Sequence, residues 1–169
     1  MPRNLVQAAA FLFGFWFALW LSPLSIQAIE DADRPAFEAL EQELLDEVNR
    51  VRAERHLISL TRSTAIDAVA RAHSLDMARR SYLAHETPEG RNPLDRLEAG
   101  QVDGFTLAAE NIGSTDRPNP TREIISHWIQ SPVHRQNLYA PPFNTTGIGI
   151  ARSATGALIY TQLYLSYPK

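Results

Sequence analysis

Three polar side chains stand in turn-rich segments of the 169-residue chain, each beside a hydrophobic element: His85, Glu110 and His134. Two imidazoles and one carboxylate could hold Zn²⁺ with one coordination position open. Such an ion would lower the pKa of a bound water and support hydrolysis. The chain has no H-E-x-x-H motif, and separations of 25 and 24 residues fit many geometries. A polar network that stabilises the fold would use the same residues, so both interpretations stay open.

Ser131 suggests a second kind of chemistry, because it lies three residues before His134. A Ser–His–Glu arrangement would activate its hydroxyl as a nucleophile. The chain has no G-x-S-x-G motif, so the residues alone do not favour a serine hydrolase.

Two amide side chains are expected to support the same site. Asn111 follows Glu110 directly and is a short amide suited to bonding backbone groups. Gln162 belongs to a strand face that could reach the site. His73 has a different setting, because it lies on an apolar helix stripe and is predicted to be a hydrogen-bonded core residue.

Hydrophobic periodicity predicts the helices that must position these residues. They cover residues 37 to about 55, a segment from Thr64, Pro93–Ala99 with Gly100 as its stop, and a segment from Asn119-Pro120 to Ser131-Pro132. In the first helix, Glu41 and Arg52 lie off the apolar stripe.

The C-terminal third changes to the two-residue period of strands. Residues 146–152 and 157–165 predict a hairpin around a turn at 153–156, and residues 105–112 predict a third strand. Both faces of the last strand are apolar, which indicates helices on both sides of the sheet. The sequence therefore predicts an α+β fold, a three-layer α-β-α sandwich with a small mixed, mainly antiparallel sheet.

The first 28 residues are predicted to be a secretory signal peptide. Arg3 precedes an uncharged apolar run from Leu5 to Leu24, and small residues precede a cleavage site after Ala28. The alternative is an uncleaved membrane anchor over residues 5–24. Residues 29–36 are predicted to be a linker and residues 37–169 the domain, which would be secreted, periplasmic or anchored.

Composition excludes several partners. Removal of Arg3 with residues 1–28 leaves 15 of the 16 basic residues against 19 acidic ones, a net charge of −4. Without a basic run, neither nucleic acid nor a lipid surface is an expected partner. The chain has no cysteine, which excludes thiolate chemistry and disulfides.

Six phrases in order resemble the CAP superfamily, or SCP domain, of cysteine-rich secretory, venom allergen and plant pathogenesis-related proteins. The likeness is to its short, cysteine-free bacterial members. The phrases are S-Y-L-A-H-E-T-P-E-G (81–90), N-P-L-D-R-L (92–97), A-E-N-I-G (109–113), W-I-Q-S-P-V-H-R-Q-N-L (128–138), G-I-G-I-A (147–151) and Y-T-Q-L-Y (160–164). The resemblance implies an α-β-α sandwich.

The resemblance also implies a cleft that in the family is lined by two His and two Glu. His85, Glu110 and His134 match three of these positions, whereas the second Glu has no match and Ser131 stands near its place. A reversibly bound divalent cation such as zinc would then be held by His85, Glu110 and His134.

The missing carboxylate favours binding over catalysis. The first hypothesis is an exported ligand-binding or interaction module for a divalent metal, peptide, lipid or glycan of the extracellular space or envelope. The alternatives are a metal- or serine-dependent hydrolase and a structural cell-envelope protein.

Overall fold

The structure, a computed structural model, describes residues 23–168, with side chains from Asp33 onward. Its helices and strands in chain order are α1 Pro23–Ala53, β1 Thr61–Arg62, α2 Thr64–Arg80, α3 Pro93–Ala99, β2 Leu107–Thr115, α4 Pro120–Gln130, α5 Pro132–Leu138, β3 Thr145–Arg152 and β4 Leu158–Ser166. The predicted α+β, α-β-α architecture is confirmed, with the short strand β1 as an addition.

The sheet has the strand order β1-β3-β4-β2, so β2 forms one edge. β2 and β3 are both antiparallel to β4, whereas β1 runs parallel to β3. One core lies between the sheet and α1, α4 and α5, and includes Tyr160 and Tyr164. Leu163 belongs to the opposite core, which contains α2 and α3 residues. Successive β2 residues therefore face different helical layers.

Two glycines of β3 allow α2 to approach the sheet closely. A Cβ atom at Gly147 would lie 2.3 Å from the backbone carbon of Ile66, and one at Gly149 would lie 2.1 Å from the backbone nitrogen of Arg71. Any side chain at either position would push α2 away from the sheet. The contact fixes α2, and with it the loop that follows.

Two charged residues of α1 are buried, although they lie off the apolar stripe. Arg52 is fully buried and donates to the carbonyls of Ile58, Leu138, Ala140 and Phe143. These bonds connect the end of α1 to the end of α5. Glu41 is also fully buried and pairs with Arg62 and Arg71.

The N-terminal predictions meet the structure only in part. α1 already begins at Pro23, so the predicted linker at residues 29–36 is helical and continuous with the domain's first helix. The apolar run from Leu5 lies almost entirely outside the described residues. Among residues 23–168, no helix is long and apolar enough to cross a membrane.

The structure adds α5, which the sequence did not predict. Ser131 ends α4 and also precedes the first turn of α5, where Pro132 stands. Proline is favoured at that position because the amide it lacks would have no partner in the helix. This helix carries His134.

Candidate functional site

Glu110 is the centre of a charged cluster on the edge strand β2. It lies opposite Leu163, on the face that packs against α2 and α3. Its side chain is 2% exposed and accepts hydrogen bonds at both oxygens. His85 Nδ1 lies 2.8 Å from Oε1, and Arg96 Nη2 lies 2.5 Å from Oε2. The two partners satisfy a carboxylate that would otherwise be costly to bury.

α3 places the Arg96 guanidinium against Glu110. The helix begins at an Asn92–Asp95 capping box, and buried Leu97 anchors it. Arg96 is itself buried, and its Nη1 donates to the carbonyls of His85 and Arg91. It therefore holds both Glu110 and the loop that carries His85.

His85 lies at the surface end of this cluster, with 47% of its side chain exposed. A carboxylate can only accept, so the Nδ1 atom of His85 carries the proton. In the neutral ring the Nε2 atom is then an acceptor. The loop behind it is held by His73 Nε2, which donates to the carbonyl of Ala84 at 3.0 Å. His73 is 1% exposed, which confirms the predicted core histidine.

His134 approaches from the other layer, on α5. Burial lowers its pKa, and the neighbouring His85 lowers it further. His134 is therefore neutral near pH 7. The side chains of His85, Arg96, Glu110 and His134 are here called the β2-edge site.

Asn111 connects β2 to α5 beneath this site. Its Nδ2 donates to the backbone carbonyl of His134 at 3.0 Å, and its Oδ1 accepts from Asn137 Nδ2 at 2.9 Å. Asn137 also donates to the carbonyl of Glu110. The prediction that Asn111 bonds backbone is met, and these bonds fix α5 against β2.

Gln162 lies deeper than predicted. It is fully buried, accepts from the Tyr164 hydroxyl at 2.7 Å and donates to Thr146 Oγ1 at 3.1 Å. Tyr164 in turn accepts from Asn111 at 3.2 Å. Gln162 therefore supports the site through Asn111 and does not itself line a surface.

Ser131 is half-buried at the junction of α4 and α5. Within residues 33–168, its hydroxyl has no hydrogen bond to His85, Glu110 or His134. The Ser–His contact that an activated serine needs is absent from this arrangement.

The residues as placed do not fit a metal ion. In the described part of the chain, no three His, Cys, Asp or Glu side chains are grouped to hold one. Both Glu110 oxygens are engaged by His85 and Arg96. A guanidinium occupies the position beside the carboxylate that a cation would need.

Arg96 is the site residue to which the sequence assigned no role. Its signal was available, since it stands in N-P-L-D-R-L between the capping residues and buried Leu97. A charged residue in a helix of seven residues is normally solvated, however. Only the packing of α3 on β2 shows that its partner is Glu110, 14 residues later.

The fold and the β2-edge site together define an α-β-α domain with a His–Glu–Arg cluster on an edge strand. A profile of the cysteine-rich secretory protein family, CAP, matches residues 45–164. The chain belongs to this family, as the sequence predicted, although it contains no cysteine.

Bacterial relatives agree with this assignment. Protein YkwD of Bacillus subtilis (strain 168) is 28% identical over 127 residues, 75% of this chain and 47% of its own. A crystal structure of an extracellular protein containing a SCP domain from Bacillus anthracis str. Ames is 29% identical with a TM-score of 0.69, and covers 86% of this chain and 44% of that one. The chain thus spans about half the length of both.

An outer surface protein from Borrelia burgdorferi has the same fold. Its structure has a TM-score of 0.70 and 18% identity, with 77% of this chain and 94% of that chain covered.

Proposed function

We propose that this chain is an exported CAP-domain module that binds a polar extracellular ligand at the β2-edge site. The observation that carries the proposal is the setting of His85. Its ring is half-exposed, yet buried Glu110 accepts from Nδ1, and buried Arg96 holds both that carboxylate and the His85 carbonyl. Pre-organised side chains lose little freedom when a ligand binds, which favours recognition at such a position.

The charge balance indicates the kind of ligand. Glu110 is matched by Arg96, and His134 is neutral near pH 7. A neutral His85 presents Nε2 as an acceptor. The site therefore suits an uncharged chain that carries hydrogen-bond donors, as peptide amides and glycan hydroxyls do.

Export is part of the proposal. The predicted signal peptide supports it, and so does the similarity to the extracellular protein of Bacillus anthracis. Mass measurement of the mature N-terminus tests cleavage after Ala28. A full-length N-terminus in the membrane fraction would favour the anchor.

Binding is tested by following the histidine ring signals by NMR during titration with chitotriose and with a neutral trialanine peptide. Saturable shifts of His85 and His134 are expected with one of the two, and His85→Ala should remove them. His127→Ala is a matched control, because His127 is exposed on α4. Shifts that survive in His85→Ala would contradict the proposal. Zn²⁺ in the same titration should cause no saturable change.

The His85–Glu110 pair also favours a second candidate, a hydrolase in which His85 acts as general base on water. A carboxylate that fixes one imidazole nitrogen leaves the other to accept a proton. Screens with peptide and ester substrates should then show turnover that Glu110→Gln removes. A lack of turnover in the wild type leaves the binding module as the function.

A further inference from the structure

A second polar feature lies between α2 and α3, where a cavity of about 420 Å³ opens. Its walls include Ala65, Ala68, Ala72 and Ala99, which leave room for a compact apolar group. The volume is at the small end of the range for ligand pockets. Arg96 lines this cavity and also binds Glu110.

Two buried atoms at this cavity have no hydrogen-bond partner: His73 Nδ1 and Arg96 Nε. His73 is 1% exposed and Arg96 is 9% exposed, and both side chains line the cavity. Unsatisfied polar atoms at such depth are uncommon in folded proteins and often mark a missing partner.

The two atoms differ in what they require. His73 Nε2 donates to the Ala84 carbonyl, so it carries the proton. Burial, and then the charge of Arg96, lowers the pKa of His73, so the ring is neutral and Nδ1 is an acceptor. Arg96 Nε is a donor. A ligand that satisfies both must accept at one atom and donate at another.

Charge selects between the ligands that meet this requirement. Asp76 accepts from the Tyr82 hydroxyl and shares Arg80 with Glu89, and Arg96 is matched by Glu110. Within residues 33–168, the guanidinium of Arg91 at the same cavity has no hydrogen bond or ion pair. The Arg91 guanidinium is therefore available to an anion, and a cationic amine is disfavoured beside the two guanidinium groups of Arg91 and Arg96.

We propose that the α2–α3 cavity binds a small hydroxycarboxylate with a compact apolar body. The carboxylate accepts from Arg91 and from Arg96 Nε, the hydroxyl donates to His73 Nδ1, and the alkyl group rests on the alanines. Charge-assisted hydrogen bonds from guanidinium groups are the usual means of holding a carboxylate. The cavity shares Arg96 with the β2-edge site, but the proposal does not depend on what that site binds.

The test is an NMR titration of the full-chain protein at pH 7.5 and constant ionic strength. The probe is 2-hydroxyisovalerate, compared with isovalerate, which lacks the hydroxyl, and 2-hydroxyisovaleramide, which lacks the charge. Saturable shifts of the Arg96 Nε–H signal and of the His73 ring nitrogens are expected with the first probe. Either analogue should bind about tenfold more weakly, since each loses a hydrogen bond at a buried partner.

Two variants separate the cavity from general electrostatics. Arg91→Gln should weaken binding about tenfold, whereas Arg117→Gln, an exposed arginine outside the cavity, should leave it unchanged. Ala68→Leu should fill the cavity and remove binding without changing the rest of the spectrum. Equal binding of the amide, equal binding by Arg91→Gln, or no saturation by any probe would overturn the proposal.

Discussion

Two buried glutamates of this fold are each held by two partners, yet the two clusters differ in what surrounds them. Glu41 joins α1 to Arg62 and Arg71, whose side chains are 21% and 25% exposed. Asp67 adds a second carboxylate to Arg62. Glu110 is held by buried Arg96 and by His85, which is 47% exposed.

The difference lies in the partner that faces solvent. Around Glu41 both partners are arginines, which stay charged at every relevant pH and join α1 to β1 and α2. Around Glu110 the outer partner is a half-exposed imidazole whose second nitrogen is free to contact a ligand. We infer that the Glu41 cluster stabilises the domain. The buried Glu110–Arg96 pair instead positions the His85 ring for contact with a ligand.

The largest effect is expected for Glu41→Gln. It leaves Arg62 and Arg71 partly buried with one carboxylate fewer, and removal of one member of a buried ion pair costs about 4 kcal/mol. Urea unfolding followed by circular dichroism measures the loss.

Glu47→Gln is the matched control on the same helix. Glu47 pairs with Arg50 on the exposed side of α1. Its unfolding midpoint should stay at the wild-type value, because exposed pairs contribute little. If the two variants unfold alike, Glu41 does not have the stabilising role inferred from its burial.

Local signals explain which parts of the fold could be predicted from the sequence. The limits of α3 follow from Pro93 and Gly100, and the β3–β4 hairpin from alternation around residues 153–156. These features depend on neighbours in the chain. α5 was missed because Pro132 was interpreted only as the end of α4, although proline equally begins a helix.

The buried charges could not be predicted, because their partners are distant in sequence. Arg52 donates to carbonyls 86, 88 and 91 residues later. Helical periodicity places Glu41 and Arg52 off the apolar stripe, and polar residues there are normally solvated. In the site, the family resemblance predicted His85 and Glu110 together. Arg96 could be assigned to the site only from its hydrogen bond to Glu110.

Arg96→Gln should have the second largest effect and lower the free energy of unfolding by about 2 kcal/mol. The loss is smaller than at Glu41 because His85 stays beside Glu110 and still donates to it. A double-mutant cycle with Glu110→Gln should give a coupling of about 1–2 kcal/mol in urea unfolding. Additive losses would show that Arg96 acts through the His85 and Arg91 carbonyls rather than through Glu110.

His73 and His134 should make the free energy of unfolding depend on pH. Burial lowers the pKa of His73 and His134 from 6.5 in the folded protein. The unfolded chain therefore binds more protons below pH 6.5, and stability falls as the pH drops through that region, by at most about 1.4 kcal/mol per pH unit for each group. His73→Gln keeps a donor for the Ala84 carbonyl and should reduce this dependence between pH 7.5 and 5.5 to the part that His134 contributes, as measured by urea unfolding. An unchanged slope would place the titrating group elsewhere.

The smallest effect on stability is expected for His85→Ala, the variant that most directly separates the role of the Glu110 cluster from that of the Glu41 cluster. Because the ring is half-exposed and Arg96 still neutralises Glu110, the free energy of unfolding should fall by less than about 1 kcal/mol. The same variant should lose the binding of the glycan or peptide probe. The opposite result would be that His85→Ala destabilises the fold as much as Arg96→Gln does while binding is unchanged. The Glu110 cluster would then only stabilise the domain, as the Glu41 cluster does, and the β2-edge site would have no ligand.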